Sequence, residues 1–247
     1  MAEAHDNPRP IAAATGLEPP RSAQRRRAAL ALLLLTPAPT IGTTAAMWVW
    51  PGPVGQALYG ACKLWLLALP LAWLLLVERG RISLSAPRRG GWGAGLLSGA
   101  VVGGAILLAW LLVGRSRVDA GPLLEVARQS GFDQPAVYLG FAAYLALVNA
   151  LLEEYVWRWF TLRQCERLLG GASAVGAAAL FFTLHHVVAI RSFLPWSLTL
   201  LASAGVFAGG LLWGALYLRY RSIWPGYVSH VLVDVAVLSV GWMLLFG

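Results

Sequence analysis

The sequence predicts an all-α protein, a polytopic membrane helix bundle with about seven transmembrane helices. Of its 247 residues, 58% are hydrophobic and only 12% are charged, and the mean hydropathy is +0.66. A soluble domain carries roughly 25% charged residues, so the composition argues against a water-soluble globule. Apolar runs of about twenty residues, the length that crosses a bilayer as a helix, recur along the whole chain.

Seven apolar segments can be drawn, and boundaries that are uncertain by several residues allow six to eight. They cover residues 28–49, 54–77, 93–114, 135–160, 172–190, 195–218 and 226–246. Residues 1–27 are polar, rich in Pro and Ala, and basic at their end, which predicts a disordered cytoplasmic tail. The chain then divides into N-terminal transmembrane helices at 28–134 and a C-terminal group of helices at 135–247.

The loop charges predict an orientation. The net charge of +8 is better explained by arginine in cytoplasmic loops than by nucleic-acid binding, so no nucleic-acid partner is expected. With the N-terminus inside, the loops on the same side hold Arg79, Arg81, Arg88, Arg89, Arg163, Arg167, Arg219 and Arg221. The opposite side holds a mixed loop and Arg191 alone. This asymmetry predicts a multi-pass protein of the cell (inner) membrane with a cytoplasmic N-terminus.

The first candidate site is a charged group inside the fourth apolar segment. Glu153, Glu154 and Arg158 lie where charge is expensive and usually marks function. On a helix, Glu154 and Arg158 are four positions apart and can pair, whereas Glu153 is turned about 100° away. Arg158 is therefore expected to neutralise Glu154 and to leave Glu153 free for chemistry. Asn149, four positions before Glu153, could hydrogen-bond to it.

Histidines on two later helices supply possible partners. His185 and His186 lie in the fifth segment, and His230 lies near the start of the seventh, four positions before Asp234. A single intramembrane histidine is more often a packed residue than a catalyst, but three polar groups on three helices favour chemistry. A carboxylate and imidazoles in a water-restricted cavity suit proton transfer. The residues alone leave two functions open, an intramembrane hydrolase and a proton-coupled transporter.

The order of these motifs resembles a known family. Glu153-Glu154-x-x-x-Arg158, then Phe-x-x-x-His, then His230-x-x-x-Asp234 on successive apolar helices is similar to the CPBP (Abi, CAAX-protease-like) family of intramembrane glutamic-type endopeptidases. The resemblance covers about residues 137–240. It implies an enzyme, a peptide hydrolase that acts in the lipid bilayer on a membrane-associated peptide or protein substrate. It does not imply the substrate, the cleavage site or an oligomeric state.

The resemblance also implies roles for individual residues. Glu153 would be the general base that activates water, and Glu154 would be a supporting carboxylate held by Arg158. The histidine of the second motif and His230 would assist the water and stabilise the tetrahedral intermediate. Asp234 stands where the family usually has Asn, and an ionised Asp cannot donate to an oxyanion. Asp234 is therefore expected to orient His230 instead.

The second motif can be placed in two ways. Phe181 with His185 and Phe182 with His186 both satisfy the spacing, and we favour His186. The predicted boundaries put His186 about 21 Å into the fifth helix at 1.5 Å per residue. Glu153 and His230 lie nearer the cytoplasmic ends of their helices. Either the fifth helix begins earlier than predicted or the boundaries of its neighbours are misplaced.

The resemblance leaves the metal question and two rival functions open. We expect no cofactor and no metal, with zinc as the alternative because Glu and His can ligate it. The sequence lacks the His-Glu-x-x-His helix of many zinc proteases. The rivals are a non-catalytic immunity or scaffold protein of the same family and the proton-coupled transporter. Transporters often show paired halves, and the first three segments carry no counterpart of the motifs, which argues against a transporter.

Overall fold

The computed structural model describes residues 21–80, 90–119, 121–129 and 131–247. Within these ranges the protein is helical with no strand, and seven helices are long and apolar enough to cross a membrane. The predicted all-α membrane bundle is confirmed, and the chain is a multi-pass membrane protein. The helices are α1 Arg21–Val49, α2 Pro53–Val77, α3 Trp92–Arg117, α4 Pro135–Leu168, α5 Gly171–Arg191, α6 Trp196–Tyr220 and α7 Trp224–Phe246. A short helix, Gly121–Gln129, lies between α3 and α4.

Two helix ends differ from the prediction. The helix α1 begins at Arg21 and so includes the last residues of the segment predicted as a disordered tail; residues 1–20 of that segment lie outside the described residues. Arg, Ala and Gln are good helix formers, which explains the early start. The helix α4 continues to Leu168 because its basic end still buries Leu162 and Cys165.

The helix α1 is interrupted where its prolines predict a break. The chain turns at Thr36, and helix resumes at Pro37 because proline fits the first helical position. The Thr36 hydroxyl and the Thr36 backbone N–H both donate to the Leu32 carbonyl oxygen at 2.9 Å. The second part of α1 thereby packs against both α2 and α5.

The helix α4 is the centre of the bundle. It contacts α1, α2, α5, α6 and α7, so its buried faces meet most of the other spans. The largest apolar cluster joins α4 to four other helices and contains Ala31, Leu35, Ala38, Leu66, Leu69, Trp73, Val156, Trp157, Phe160, Phe182 and Trp213. Part of α4, Glu154–Leu162, is wound as π-helix, a winding often found at functional sites.

Glycines bring α3 close to α7. Gly95, Gly99 and Gly103 are buried against α7, as expected for small residues four apart. A Cβ atom on Gly99 would lie 2.9 Å from the Cα atom of Ser229. The two backbones therefore approach at the turn of α7 that carries Ser229 and His230.

The basic loops predicted on one side lie at one end of the bundle. Arg167 pairs with Glu78 at 2.6 Å, which joins the ends of α4 and α2. Arg221 pairs with Glu166 at 2.8 Å, which joins the end of α6 to α4. Arg191 lies at the other end, with its guanidinium over two tryptophan rings. Arg81, Arg88 and Arg89 lie outside the described residues, and the side of the membrane on which this end lies stays a prediction.

Candidate active site

The two adjacent carboxylates of α4 are both buried and face different partners. Glu154 is fully buried, and its Oε1 lies 3.5 Å from the Arg158 Nε, the pairing that the four-residue spacing predicts. The same oxygen accepts a hydrogen bond from His230 Nδ1 at 3.1 Å. Glu153 is 9% exposed and borders a cavity. The spacing thus indicates the pair with Arg158 but not the bond from Glu154 to α7.

Arg158 ties α4 to α5 and α6. Its guanidinium carbon lies 4.6 Å from the ring centre of Phe182 and 5.1 Å from that of Trp213. The residue is 2% exposed, so its charge is balanced by Glu154 and by the faces of these two rings. Arg158 therefore fixes the position of Glu154 relative to the histidine-bearing helices.

His230 is held on one edge and on one face. Glu154 accepts from Nδ1, and the indole of Trp213 stacks on the imidazole with 3.8 Å between ring centres. The other nitrogen, Nε2, lies 3.6 Å from a Glu153 oxygen and 3.7 Å from an Asp234 oxygen. Asp234 was expected to orient His230, but in the structure the orienting hydrogen bond goes to Glu154, and Asp234 approaches the nitrogen that faces the cavity.

Both neighbouring histidines of α5 reach Glu153. One ligand atom each from Glu153, His185 and His186 lies within 4.8 Å of the others. His186 Nδ1 is 2.8 Å from the Phe182 carbonyl oxygen, which can only accept, so this nitrogen carries the proton and Nε2 is left with a free lone pair. His185 stacks on Trp157 with 5.5 Å between ring centres, and its Nδ1 is buried without a hydrogen-bond partner among the described residues.

The helix lengths resolve the difference in depth between Glu153 and His186. The start of α5 at Gly171 agrees with the prediction, whereas α4 runs past residue 160 to Leu168. Counted along the chain, Glu153 lies as far before Leu168 as His186 lies after Gly171. Since α4 and α5 are antiparallel and joined by a short turn, the two residues lie at the same depth.

A cavity of about 300 Å³ opens onto these groups. Glu153, His185, His186, His230 and Asp234 form its polar wall. The first two helices contribute further lining that the sequence prediction missed: Thr43, Met47, Tyr59, Cys62, Lys63 and Leu66. The site therefore extends beyond the three helices that carry the motifs.

Lys63 was missed although the sequence contains a signal for it. It is a charged residue inside the apolar run 54–77, and the rule that singled out Glu153 applies to it equally. Its Nζ donates to the Asn149 side-chain oxygen at 3.1 Å. Trp213 was missed as well, and nothing in the sequence distinguishes it from the other tryptophans.

The residue types and separations at the site would also suit a zinc ion. Glu153, His185 and His186 offer one oxygen and two imidazole nitrogens, a ligand set found at catalytic zinc sites. The free lone pair of His186 Nε2 and the unpartnered His185 Nδ1 fit this chemistry. Zinc therefore stays the alternative to the metal-free site that the sequence predicts.

Comparison with known proteins agrees with the motifs. Residues 135–236 match the family model described as type II CAAX prenyl endopeptidase Rce1-like. No curated protein and no solved structure matches the chain. The matched segment is less than half of the chain and leaves out α1, α2 and α3, but it contains Glu153, Glu154, Arg158, His185, His186, His230 and Asp234. On this match and on the three motifs within it, residues 135–236 are similar to the CAAX-protease-like family of Rce1-like endopeptidases.

Proposed function

We propose that this protein is an intramembrane peptidase that hydrolyses a peptide bond of a membrane-associated peptide or protein. The observation that carries the proposal is the convergence of Glu153 of α4 with His186 of α5 and His230 of α7 on one cavity. The family match of residues 135–236 supports a peptidase, and the catalytic roles below are our inference from the geometry.

Glu153 is the group that activates water in this mechanism. A water molecule between Glu153 and His186 Nε2 gives one proton to the carboxylate and a hydrogen bond to the imidazole nitrogen. The oxygen of that water attacks the carbonyl carbon of the scissile bond. Because His186 donates through Nδ1 to the Phe182 carbonyl, its Nε2 is fixed as an acceptor and faces the water.

His230 is the candidate donor to the oxyanion. Its Nε2 lies between Glu153 and Asp234. When this nitrogen is protonated, it can donate to the oxygen on which negative charge develops. The oxyanion then lies closer to Nε2 than Asp234, whose oxygen is 3.7 Å away. The C–N bond breaks as Glu153 returns its proton to the leaving amine, and the carboxylate is regenerated. Glu154 and Trp213 hold the imidazole in position throughout.

None of these steps requires a metal. If zinc were bound by Glu153, His185 and His186, it would supply Lewis-acid polarisation of a water molecule. Activity that survives treatment with a metal chelator would support the metal-free mechanism. Loss of activity with the chelator, restored by zinc, would contradict it.

The substitution Glu153→Gln tests the proposed function. It removes the proton acceptor and keeps the shape, so the cleavage rate is expected to fall by a factor of about 10²–10⁴. Purified protein in liposomes is incubated with a pool of randomised peptides that carry an N-terminal acyl chain, and products are identified by mass spectrometry. Glu166→Gln is the matched control, because Glu166 lies on the same helix but pairs with Arg221 at the bundle end.

Three outcomes would contradict the proposal or its assignment of Glu153. Cleavage by Glu153→Gln at the wild-type rate would remove Glu153 from the mechanism. No cleavage by the wild type, with an intact cellular phenotype in Glu153→Gln, would favour a non-catalytic member of the family. Proton-coupled uptake that depends on Glu153 in the absence of cleavage would favour a transporter.

A further inference from the structure

The cavity has a cationic end that the proposed mechanism does not use. Lys63 lies in the middle of α2, is half-buried and lines the cavity. It is the only lysine in the sequence. Its ammonium group donates to the Asn149 oxygen at 3.1 Å and lies 5.5 Å from the centre of the Tyr59 ring.

The contact partners of this ammonium group, Asn149 and Tyr59, are both neutral, and Glu153 acts on it only from beyond contact distance. Among the described residues, no carboxylate oxygen lies within 4.0 Å of Lys63 Nζ. An ammonium group has three hydrogen-bond donors, and Asn149 accepts from only one of them. A charge at membrane depth is costly when it lacks an ionic partner, and such residues usually mark a ligand path. Lys63 is therefore suited to an anionic group that enters the cavity.

The position of Lys63 relative to Glu153 limits what that anion can be. Asn149, which accepts from Lys63, lies one helical turn before Glu153 on α4. The cavity of about 300 Å³ has room for on the order of ten water molecules, which corresponds to a short stretch of peptide. An anion at Lys63 would thus lie only a few bonds from a peptide bond at Glu153.

We propose that Lys63 and Asn149 form a carboxylate-binding subsite that holds an acidic group of the peptide substrate beside the scissile bond. The acidic group is a free C-terminal carboxylate or an acidic side chain. This inference rests on the proposed peptidase function. It adds a specificity-determining residue from α2, a helix that lies outside the segment matched by the family model.

The chemistry of the pair sets the size of the expected effect. A hydrogen bond between an ammonium and a carboxylate is charge-assisted, and its loss typically changes affinity about 10- to 100-fold. A substrate that presents an amide in place of the acid leaves the ammonium unpaired. The ratio of kcat/KM between an acid and its matched amide therefore reports on the subsite.

Three peptide pools with an N-terminal acyl chain separate the two sources of carboxylate. One pool lacks Asp and Glu and ends in a free acid, the second has the same sequences with a C-terminal amide, and the third is amidated but contains Asp and Glu. The wild type is expected to prefer one acid-bearing pool over the neutral pool about 10- to 100-fold in kcat/KM. Preference for the first pool identifies the terminus, and preference for the third identifies a side chain. Equal kcat/KM for all three pools would overturn the inference.

Variants of Lys63 then connect the preference to this residue. Lys63→Met keeps the length and removes the charge, so the acid-to-amide ratio should fall close to one. Lys63→Arg keeps the charge and should hold the ratio above that of Lys63→Met. Arg115→Met, which removes an exposed positive charge at the end of α3, should leave the ratio at its wild-type value. A role of Lys63 in merely supporting Glu153 would lower both rates together and leave the ratio unchanged, which would overturn the subsite.

A binding experiment separates failure of the subsite from failure of the proposed function. Because Lys63 is the only lysine, an amine-acylating reagent modifies this side chain and the N-terminus alone, and peptide mapping resolves the two. In the Glu153→Gln variant, the acid-bearing pool that the wild type prefers should protect Lys63 from acylation more than the neutral amidated pool does. Protection without cleavage by the wild type would uphold the subsite and reject the peptidase. Cleavage without selective protection would do the reverse.

Discussion

Glu154, rather than the proposed base, joins Arg158 to His230. One of its oxygens meets Arg158 of α4 and accepts from His230 of α7. Gly226 makes room for the other oxygen, because a Cβ atom there would lie 2.5 Å from it. A change at Glu154 would therefore free His230 to turn and would leave Arg158 as a buried charge without its carboxylate. Its role is one of positioning, because it does not border the cavity.

The two histidines of α5 should differ in their effect on catalysis. His186→Gln is expected to lower kcat by about 10²-fold or more, because it removes the nitrogen acceptor that we place against the water. His185→Gln should have a smaller effect, since that ring is stacked on Trp157. The measurement is the cleavage rate of each purified variant, with thermal unfolding as the control that both variants have the same melting temperature. A larger loss in His185→Gln would assign the second motif to Phe181 and His185.

Residue-level prediction from the sequence succeeds where partners share a helix. The pairing of Glu154 with Arg158 follows from a four-residue spacing and is found. The bond from Glu154 to His230 joins two helices, and no periodicity along one helix can indicate it. The stacking of Trp213 on His230 was beyond prediction for the same reason.

The contact between α3 and α7 fixes the helix that carries His230. Buried glycines on α3 allow α7 to approach at Ser229, and this serine bonds to Ser98 of α3 and Trp213 of α6, each at 3.1 Å. The helices α3, α6 and α7 thus meet at Ser229, the residue that precedes His230. The position of the imidazole depends on a helix that contributes no residue to the catalytic motifs.

Adding one methyl group at this contact should disturb the site from a distance. Gly99→Ala brings a Cβ atom to 2.9 Å from Ser229 Cα and Leu232 Cβ, so α7 must shift. Such overpacking is expected to cost about 1–3 kcal/mol of stability and to reduce cleavage. Gly104→Ala is the control, because a Cβ atom there meets nothing within 4 Å. Thermal unfolding in detergent compares the two, and equal melting temperatures would contradict the role given to Gly99.

At the level of whole helices, the sequence predicts spans well and helix ends less well. Apolar runs locate all seven membrane-length helices of the described residues. The prediction ends α4 at residue 160, yet Leu162 and Cys165 beyond that point are still buried. Hydropathy averages over all faces of a helix, so it does not detect one buried face on an amphipathic end. That missed extension produced the false difference in depth between Glu153 and His186.

The whole molecule has an odd number of spans among its described residues, which fixes the relation between its two ends. With seven helices that each cross the membrane, the start of α1 and the end of α7 lie on opposite sides of it. Basic residues that join α1, α2, α4 and α6 at one end, such as Arg25 bound to the Leu168 carbonyl, favour the cytoplasm for that end.

Reporter fusions test this orientation. An enzyme that is active only outside the cytoplasm should be active when fused after Gly247 and inactive when inserted at Gly170, in the turn between α4 and α5. A reporter active only in the cytoplasm should give the opposite pattern. Activity of the first reporter at Gly170 would reverse the predicted orientation.

The cavity wall is shared between two parts of the chain, and this has an evolutionary consequence. The proposed proton-transfer groups come from α4, α5 and α7, whereas Thr43, Tyr59 and Lys63 come from α1 and α2. Sequence changes in the first two helices can therefore change which substrate is bound while the reaction itself stays the same. Relatives that share the last four helices can differ in substrate specificity while they keep the same chemistry, and α2 is the helix in which we expect that difference.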